Sequence, residues 1–229
     1  MTKQYITIID YGSGNLRSAA KAFEHIINEK NIDAEVIISG KAEDIERATR
    51  LVLPGQGAFG DCIDNLQTSG LIKPLEKAVL ENNIPFLGIC VGMQLLATRG
   101  LEHGSHAGLD WVPGIVTPIT PNDKSLKIPH MGWNDVHIAH YEGSAPEQNN
   151  THFVLRSAEN SAENAKDYYF VHSYMFECEY DHHILGVADY GGDITAIVGR
   201  DNIIGVQFHP EKSAQSGLEL LERFTLWET

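Results

Sequence analysis

The chain has little cysteine: three residues in 229, Cys62, Cys90 and Cys178, with no CxxC pair. An odd, sparse set in a chain this long excludes a disulfide scaffold, and the missing pair removes support for a zinc ribbon or thioredoxin-type site. Basic residues are also scarce. Lys and Arg number 17 against 31 Asp and Glu, a formal net charge of −14. That balance argues against non-specific nucleic-acid or anionic-membrane binding, though not against a local pocket for a phosphorylated ligand. Long apolar runs are absent as well. The longest, Ile84 to Ala97, is broken by Pro85, Gly88, Gly92 and Gln94 and is too short to span a bilayer. The first ten residues carry no signal-peptide core. We expect a soluble, cytoplasmic protein forming one domain over residues 1–229.

What is present reads as alternating strands and helices. Tyr5 to Ile9 is a β-branched strand, followed by a loop holding Gly12 and Gly14. Asn15 is placed to cap a helix with an apolar face of Leu16, Ala19, Ala20, Phe23, Ile26 and Ile27. Strands follow at Ala34 to Ile38, Leu51 to Leu53 and Phe86 to Ile89, with a helix at Leu71 to Leu80 and another from Cys90. This predicts a parallel sheet covered by helices. Beyond Trp111 come short strand patterns at 115–119, 136–138, 168–171, 184–187, 194–198 and 203–208, expected as hairpins and mixed strands added to the same sheet. A last helix runs from Ser213 to Phe224. The polar stretch Glu142 to Lys166 reads as a surface insertion.

The sharpest chemical signal is Gly88-Ile89-Cys90-Val91-Gly92. A nucleophile between small residues, after an apolar strand and before a helix, is a nucleophile elbow. A helix N-terminus favours a thiolate, and the Val91 N–H is placed to stabilise an oxyanion. A thiolate needs a base. An apolar strand ends at His209, Pro210 stops its pairing, and Glu211 follows. The strand delivers the imidazole to the sheet edge, where the Glu211 carboxylate can fix its tautomer. Pro54-Gly55-Gln56-Gly57 ends another strand. Its glycines permit unusual peptide orientations, so the Gln56 N–H can be a second oxyanion donor. Gly12-Ser13-Gly14 opens like a dinucleotide fingerprint, but Arg17 stands where the third glycine belongs. The remaining histidines show no metal-ligand spacing, so no metal and no cofactor is expected.

Gly88-Ile89-Cys90-Val91-Gly92-Met93-Gln94 with His209-Pro210-Glu211 resembles the class I glutamine amidotransferase family. Asp10 to Leu16, Pro129-His130-Met131-Gly132-Trp133-Asn134 and Phe170 to Tyr174 resemble the branch that serves histidine biosynthesis as a glutaminase subunit. The likeness covers nearly the whole chain. It implies a flavodoxin-like three-layer α/β sandwich with a mixed central sheet and added hairpins. It implies that Cys90 attacks L-glutamine, that His209 oriented by Glu211 moves protons, and that Gln56 and Val91 form the oxyanion hole. Gly55, Gly57, Gln94, Ser173 and Tyr174 are then expected around the glutamine. The ammonia passes to a (β/α)8-barrel cyclase in a heterodimer, and Trp133, in a glycine-flanked turn, and Lys212 are expected at the partner interface. Members of the family often carry Val at the position of Gln56. Two other functions share parts of the pattern: a paralogous glutaminase serving a surface-polysaccharide sugar, and a stand-alone Cys-dependent ester or lactone hydrolase. The second leaves His-Pro-Glu, Gln94 and the Pro-His-Met-Gly-Trp stretch without a purpose.

Overall fold

The computed structural model describes residues 3–139, 152–155 and 166–228. In chain order its elements are β1 (Gln4–Ile9), α1 (Leu16–Lys30), β2 (Ala34–Ser39), α2 (Ala42–Glu46), β3 (Arg50–Gly55), α3 (Phe59–Thr68), α4 (Ile72–Glu76), β4 (Phe86–Cys90) and α5 (Val91–Gln94). They are followed by β5 (Arg99–Gly100), β6 (His106–Ala107), β7 (Gly114–Pro118), β8 (His130–Ile138), β9 (Lys166–His172), β10 (Tyr174–Cys178), β11 (Ile184–Asp189), β12 (Asp193–Arg200), β13 (Ile203–Val206) and α6 (Ala214–Leu226).

Nine strands form one mixed sheet in the order β2-β1-β3-β4-β13-β12-β11-β8-β9. The β2-to-β13 half is parallel, and the rest is antiparallel. β3, β4 and β13 are buried along their whole length, which is why, apart from Arg50 at the start of β3, their sequences are continuous apolar runs rather than alternating ones. The chain leaves β1 toward β2 through α1 and reaches β4 from β3 through α3 and α4, moving in opposite directions along the sheet. Right-handed crossovers therefore put α1 and α4 on opposite faces. In agreement, α1 packs on α6 while α2 packs on α4. Arg50, buried at the start of β3, donates from Nε to the Phe224 carbonyl at 3.0 Å and from its second terminal nitrogen to the Trp227 carbonyl. It thereby satisfies open carbonyls at the end of α6.

Four sequence expectations change. β10, β7, β5 and β6 form a separate four-stranded sheet, so the strand at 115–119 is not an addition to the main one. Asn15 gives α1 no side-chain cap; its backbone carbonyl accepts the Ala19 N–H at 3.2 Å. The helix expected over Leu71 to Leu80 keeps α-geometry only through α4 and then widens over Lys77–Glu81. Asn202 Nδ2 holds that end, donating to the Val79 and Ile84 carbonyls at 2.8 Å each. Finally, α3 had no counterpart in the sequence reading. Of the polar stretch 142–166, only residues 152–155 and Lys166 are described; the rest lies outside the described residues. Lys166 pairs with Glu219 of α6 at 2.5 Å.

Candidate active site

β3, β4 and β13 are adjacent and parallel, with Gly55 beside Cys90 and Val206 beside Ile89 in register. Their C-terminal ends place the Gln56 turn, the Cys90 elbow and His209 at one sheet edge. Cys90 has φ 55° and ψ −115°, a left-handed backbone region that costs a residue with a Cβ on the order of 1–3 kcal/mol. The elbow is packed so tightly that a Cβ on Gly92 would lie 1.8 Å from the Leu53 carbonyl oxygen. One on Gly55 would lie 2.5 Å from the Gly92 nitrogen. Both positions require glycine because backbone meets backbone there.

His209 Nδ1 lies 2.9 Å from Glu211 Oε1, in the short turn that Pro210 begins. The His209 backbone is clamped on both sides. Its N–H donates to the Tyr169 carbonyl at 2.9 Å, and its carbonyl accepts from Ser213 Oγ at 2.6 Å. Burial pushes the His209 imidazole down, but hydrogen bonds to Cys90 and Glu211 outweigh it and raise it to about 9. The ring is therefore held protonated near neutrality, between a sulfur and a carboxylate.

The expected second oxyanion donor faces another way. The Gln56 N–H donates to Ser13 Oγ at 3.2 Å, and the Gln56 carbonyl accepts from Ser13 Oγ at 2.8 Å and from Cys62 Sγ at 3.4 Å. Tyr11 Oη donates to the Pro54 carbonyl at 2.9 Å, so the loop after β1 holds the whole turn. Gly57, at φ 107°, supplies the backbone freedom beside it. A recess of about 400 Å³, lined by Ser13, Gln56, Gly57, Asp61, Cys62 and Asn65 among others, lies beside this peptide; Cys90 does not line it. Ser13 and Cys62 were not singled out from sequence.

Gln94 and Tyr174 do come together: Gln94 Nε2 donates to the Tyr174 carbonyl at 3.3 Å. Ser173 sits between β9 and β10, its carbonyl accepting from the Ile119 N–H at 2.9 Å. Trp133 lies within β8 rather than in a turn, 54% exposed, with its ring edge toward Tyr169 at 6.2 Å. Lys212 Nζ stands over the same Tyr169 ring at 6.0 Å. The two expected interface residues therefore share one face, joined by a tyrosine that sequence reasoning did not name.

Behind the site, His130 Nδ1 and His172 Nε2 are 2.9 Å apart and buried. Desolvation pushes His130 down to about 4 and His172 to about 3. Both rings stay neutral in the folded protein while their unfolded counterparts protonate below about pH 6.5. The unfolded state then binds more protons, so stability is full above 6.5 and falls as pH drops toward 4. Each proton contributes a slope of about 1.4 kcal/mol per pH unit. His209, shifted upward, has the opposite sign: its contribution is full below 6.5 and is lost as pH rises through about 9. Guanidinium denaturation from pH 7 to 4.5 should show a flatter acid limb in a His130→Gln/His172→Gln variant than in wild type. Parallel limbs would show that the pair is not buried neutral.

The sequence profile of the family described as "Glutamine amidotransferase class-I" matches residues 7–226. Two curated relatives carry the name imidazole glycerol phosphate synthase subunit HisH. The Brucella abortus protein is 46% identical over 97% of this chain and 99% of its own. The Cereibacter sphaeroides protein is 48% identical over 96% and 98%. Among solved structures, one described as a glutamine amidotransferase superposes with a TM-score of 0.65 at 18% identity, covering 96% of this chain and 98% of that one. A glutamine amidotransferase from Thermotoga maritima gives 0.60 at 18%, covering 98% and 84%, and like the former shows the fold alone. An elbow cysteine, a carboxylate-held histidine and this mixed sheet define a class I glutamine amidotransferase. The chain belongs to that family and, within it, to the HisH proteins.

Proposed function

We infer that the chain hydrolyses L-glutamine and supplies the ammonia to imidazole glycerol phosphate synthesis in histidine biosynthesis. The observation that carries this reading is Cys90, strained at the elbow, beside a His209 held by Glu211. Cys90 Sγ attacks the side-chain amide carbon of glutamine. The tetrahedral oxyanion meets the N–H of Val91, which opens α5 where no preceding turn supplies an acceptor. The His209 proton goes to the leaving nitrogen, releasing ammonia and leaving a γ-glutamyl thioester. His209 then takes a proton from water, whose oxygen attacks the thioester carbon, and glutamate departs. Glu211 holds the ring through both transfers.

Gln94, Ser173 and Tyr174 flank the glutamine position, with Gly55 and Gly57 on either side of the movable Gln56 peptide. The cyclase that takes the ammonia is a (β/α)8 barrel in a heterodimer with this chain, and residues 1–229 act as one amidotransferase domain. Cys62, Cys90 and Cys178 are all free, which suits a reducing cytoplasm. Among the described residues, no helix is long and apolar enough to cross a membrane. Release of labelled glutamate from glutamine, coupled to imidazole formation when the cyclase is added, tests the reading; an ester or lactone turned over in its place would reject it.

The face that carries Trp133, Tyr169 and Lys212 docks the cyclase. An exposed tryptophan is an interface anchor, and truncating such a residue typically costs on the order of 2 kcal/mol. In calorimetric titration Trp133→Ala should weaken partner affinity about thirtyfold while the thermal midpoint stays put. Unchanged affinity would remove Trp133 from the interface.

A further inference from the structure

Gln207 is fully buried immediately after β13, and its Nε2 donates to Cys90 Sγ at 3.7 Å. Nothing in the mechanism above uses it. An amide group can present either oxygen or nitrogen, so its orientation needs a cause. The cause is the backbone carbonyl of Tyr174, which can only accept. Gln94 must therefore turn its Nε2 toward that carbonyl, at 3.3 Å. The same nitrogen donates to Gln207 Oε1 at 2.9 Å. With its oxygen thus engaged, Gln207 has only N–H groups left for the sulfur.

The Tyr174 carbonyl orders a second branch in the same way. It faces His172 Nδ1 at 2.8 Å, which makes that nitrogen the protonated one. His172 Nε2 then accepts from His130 Nδ1 at 2.9 Å, and His130 Nε2 accepts from Asn134 Nδ2 at 3.2 Å. Every group in this series has its donor or acceptor matched, and the neutral histidines add no charge to it. One carbonyl on β10 therefore sets the polarity of a buried network that ends on the nucleophile.

We propose that Gln207 is a catalytic residue of this glutaminase: its N–H, aimed by Gln94 and the Tyr174 carbonyl, holds Cys90 Sγ in place and stabilises its anion for attack. A donor to a sulfur anion in a dry site is worth more than one to a neutral thiol. The other titratable groups facing Cys90 are His209, with Glu211 behind it, Tyr11 from the loop after β1 and Cys62 from α3. Of these His209 is the cation, so Gln207 works beside it as a neutral, fixed dipole.

The inference rests on Cys90 being the nucleophile, which the loss of glutaminase in Cys90→Ala tests separately. Two near-isosteric variants remove the donor, Gln207→Met and Gln207→Glu. A third, Gln94→Glu, leaves residue 207 alone but offers it only carboxylate oxygens, so the Gln207 amide turns over and shows its own oxygen to the sulfur. The probe is iodoacetamide at pH 7, with alkylation of the Cys90 peptide followed by mass spectrometry in the complex with the cyclase. No glutamine is present, so substrate contacts of Gln94 do not enter. Alkylation should slow roughly tenfold to hundredfold in all three variants. In both Gln207 variants kcat for glutamine should fall by a similar factor with KM within about twofold. Wild-type alkylation rates in folded Gln207 variants would overturn the proposal, as would a raised KM with unchanged kcat. Should residue 207 tolerate no change, an unchanged alkylation rate in Gln94→Glu overturns it alone.

Discussion

Cys90→Ala should abolish glutamine-dependent product formation in the complex with the cyclase while leaving the reaction with added ammonium salt intact. On the proposed mechanism Cys90 alone supplies the attacking atom. Loss of one member of a nucleophile–base pair costs on the order of 10⁴–10⁶ in rate. The acceptor chemistry is on another chain, so it loses nothing. The direct measurement is the ratio of glutamine-driven to ammonium-driven turnover in one preparation. More than a few per cent of wild-type glutamine-driven turnover would sink the assignment of Cys90. Cys178→Ala is the control, because Cys178 ends β10 in the second sheet.

The second large effect concerns the resting state. The Gln56 N–H is donated to Ser13 Oγ, so of the two proposed oxyanion donors the Val91 N–H is the one left available. A missing oxyanion donor costs on the order of 10²–10³ in kcat, or about 3–4 kcal/mol. The isolated chain should therefore release glutamate slower by about that factor than the complex carrying its phosphorylated ligand. A ligand on the cyclase must favour the inward Gln56 orientation by a comparable free energy, since it shifts the equilibrium only by its differential affinity. Ser13→Ala removes the acceptor that holds the peptide outward. It should raise the rate of the isolated chain by roughly three- to tenfold, the value of one hydrogen bond. Equal rates for isolated chain, complex and liganded complex would remove the switch.

The parallel half of the sheet was legible because β1, β3 and β4 are mainly apolar on both faces and each has a glycine at or just beyond its end, Gly12, Gly55 and Gly92. The elbow of the proposed triad was legible for a related reason: its glycines are demanded by backbone contacts under 3 Å, and such demands leave a mark on sequence. α3 carries its own signal, with Phe59, Cys62, Ile63 and Leu66 buried at helical spacing directly after the Gln56 turn, but the sequence reading assigned it no element. The second sheet was illegible. β5 and β6 are two residues long and are held by β7 and each other, so their order is a tertiary fact rather than a local preference. The partners of Gln207, and the peptide held by Ser13, were hidden likewise. A buried glutamine reads as an ordinary polar residue until the fold shows which carbonyl it answers to.

β13 is last among the strands in sequence but fifth of nine in the sheet, inserted between β4 and β12. A ribosome delivers β4 and its cysteine long before β13 and its histidine. On the proposed mechanism, the nascent chain therefore carries a nucleophile without its base until the final quarter has been made and threaded into the middle of the sheet. Glutamine hydrolysis by that mechanism reports on completed folding, because a chain interrupted before residue 203 lacks His209 and Glu211. Because so central a strand arrives late, its pairing with β4 spans about half of the chain, and closure of the sheet is expected to be the slow step of renaturation. Recovery of glutaminase after dilution from denaturant should accordingly lag behind recovery of helical circular dichroism.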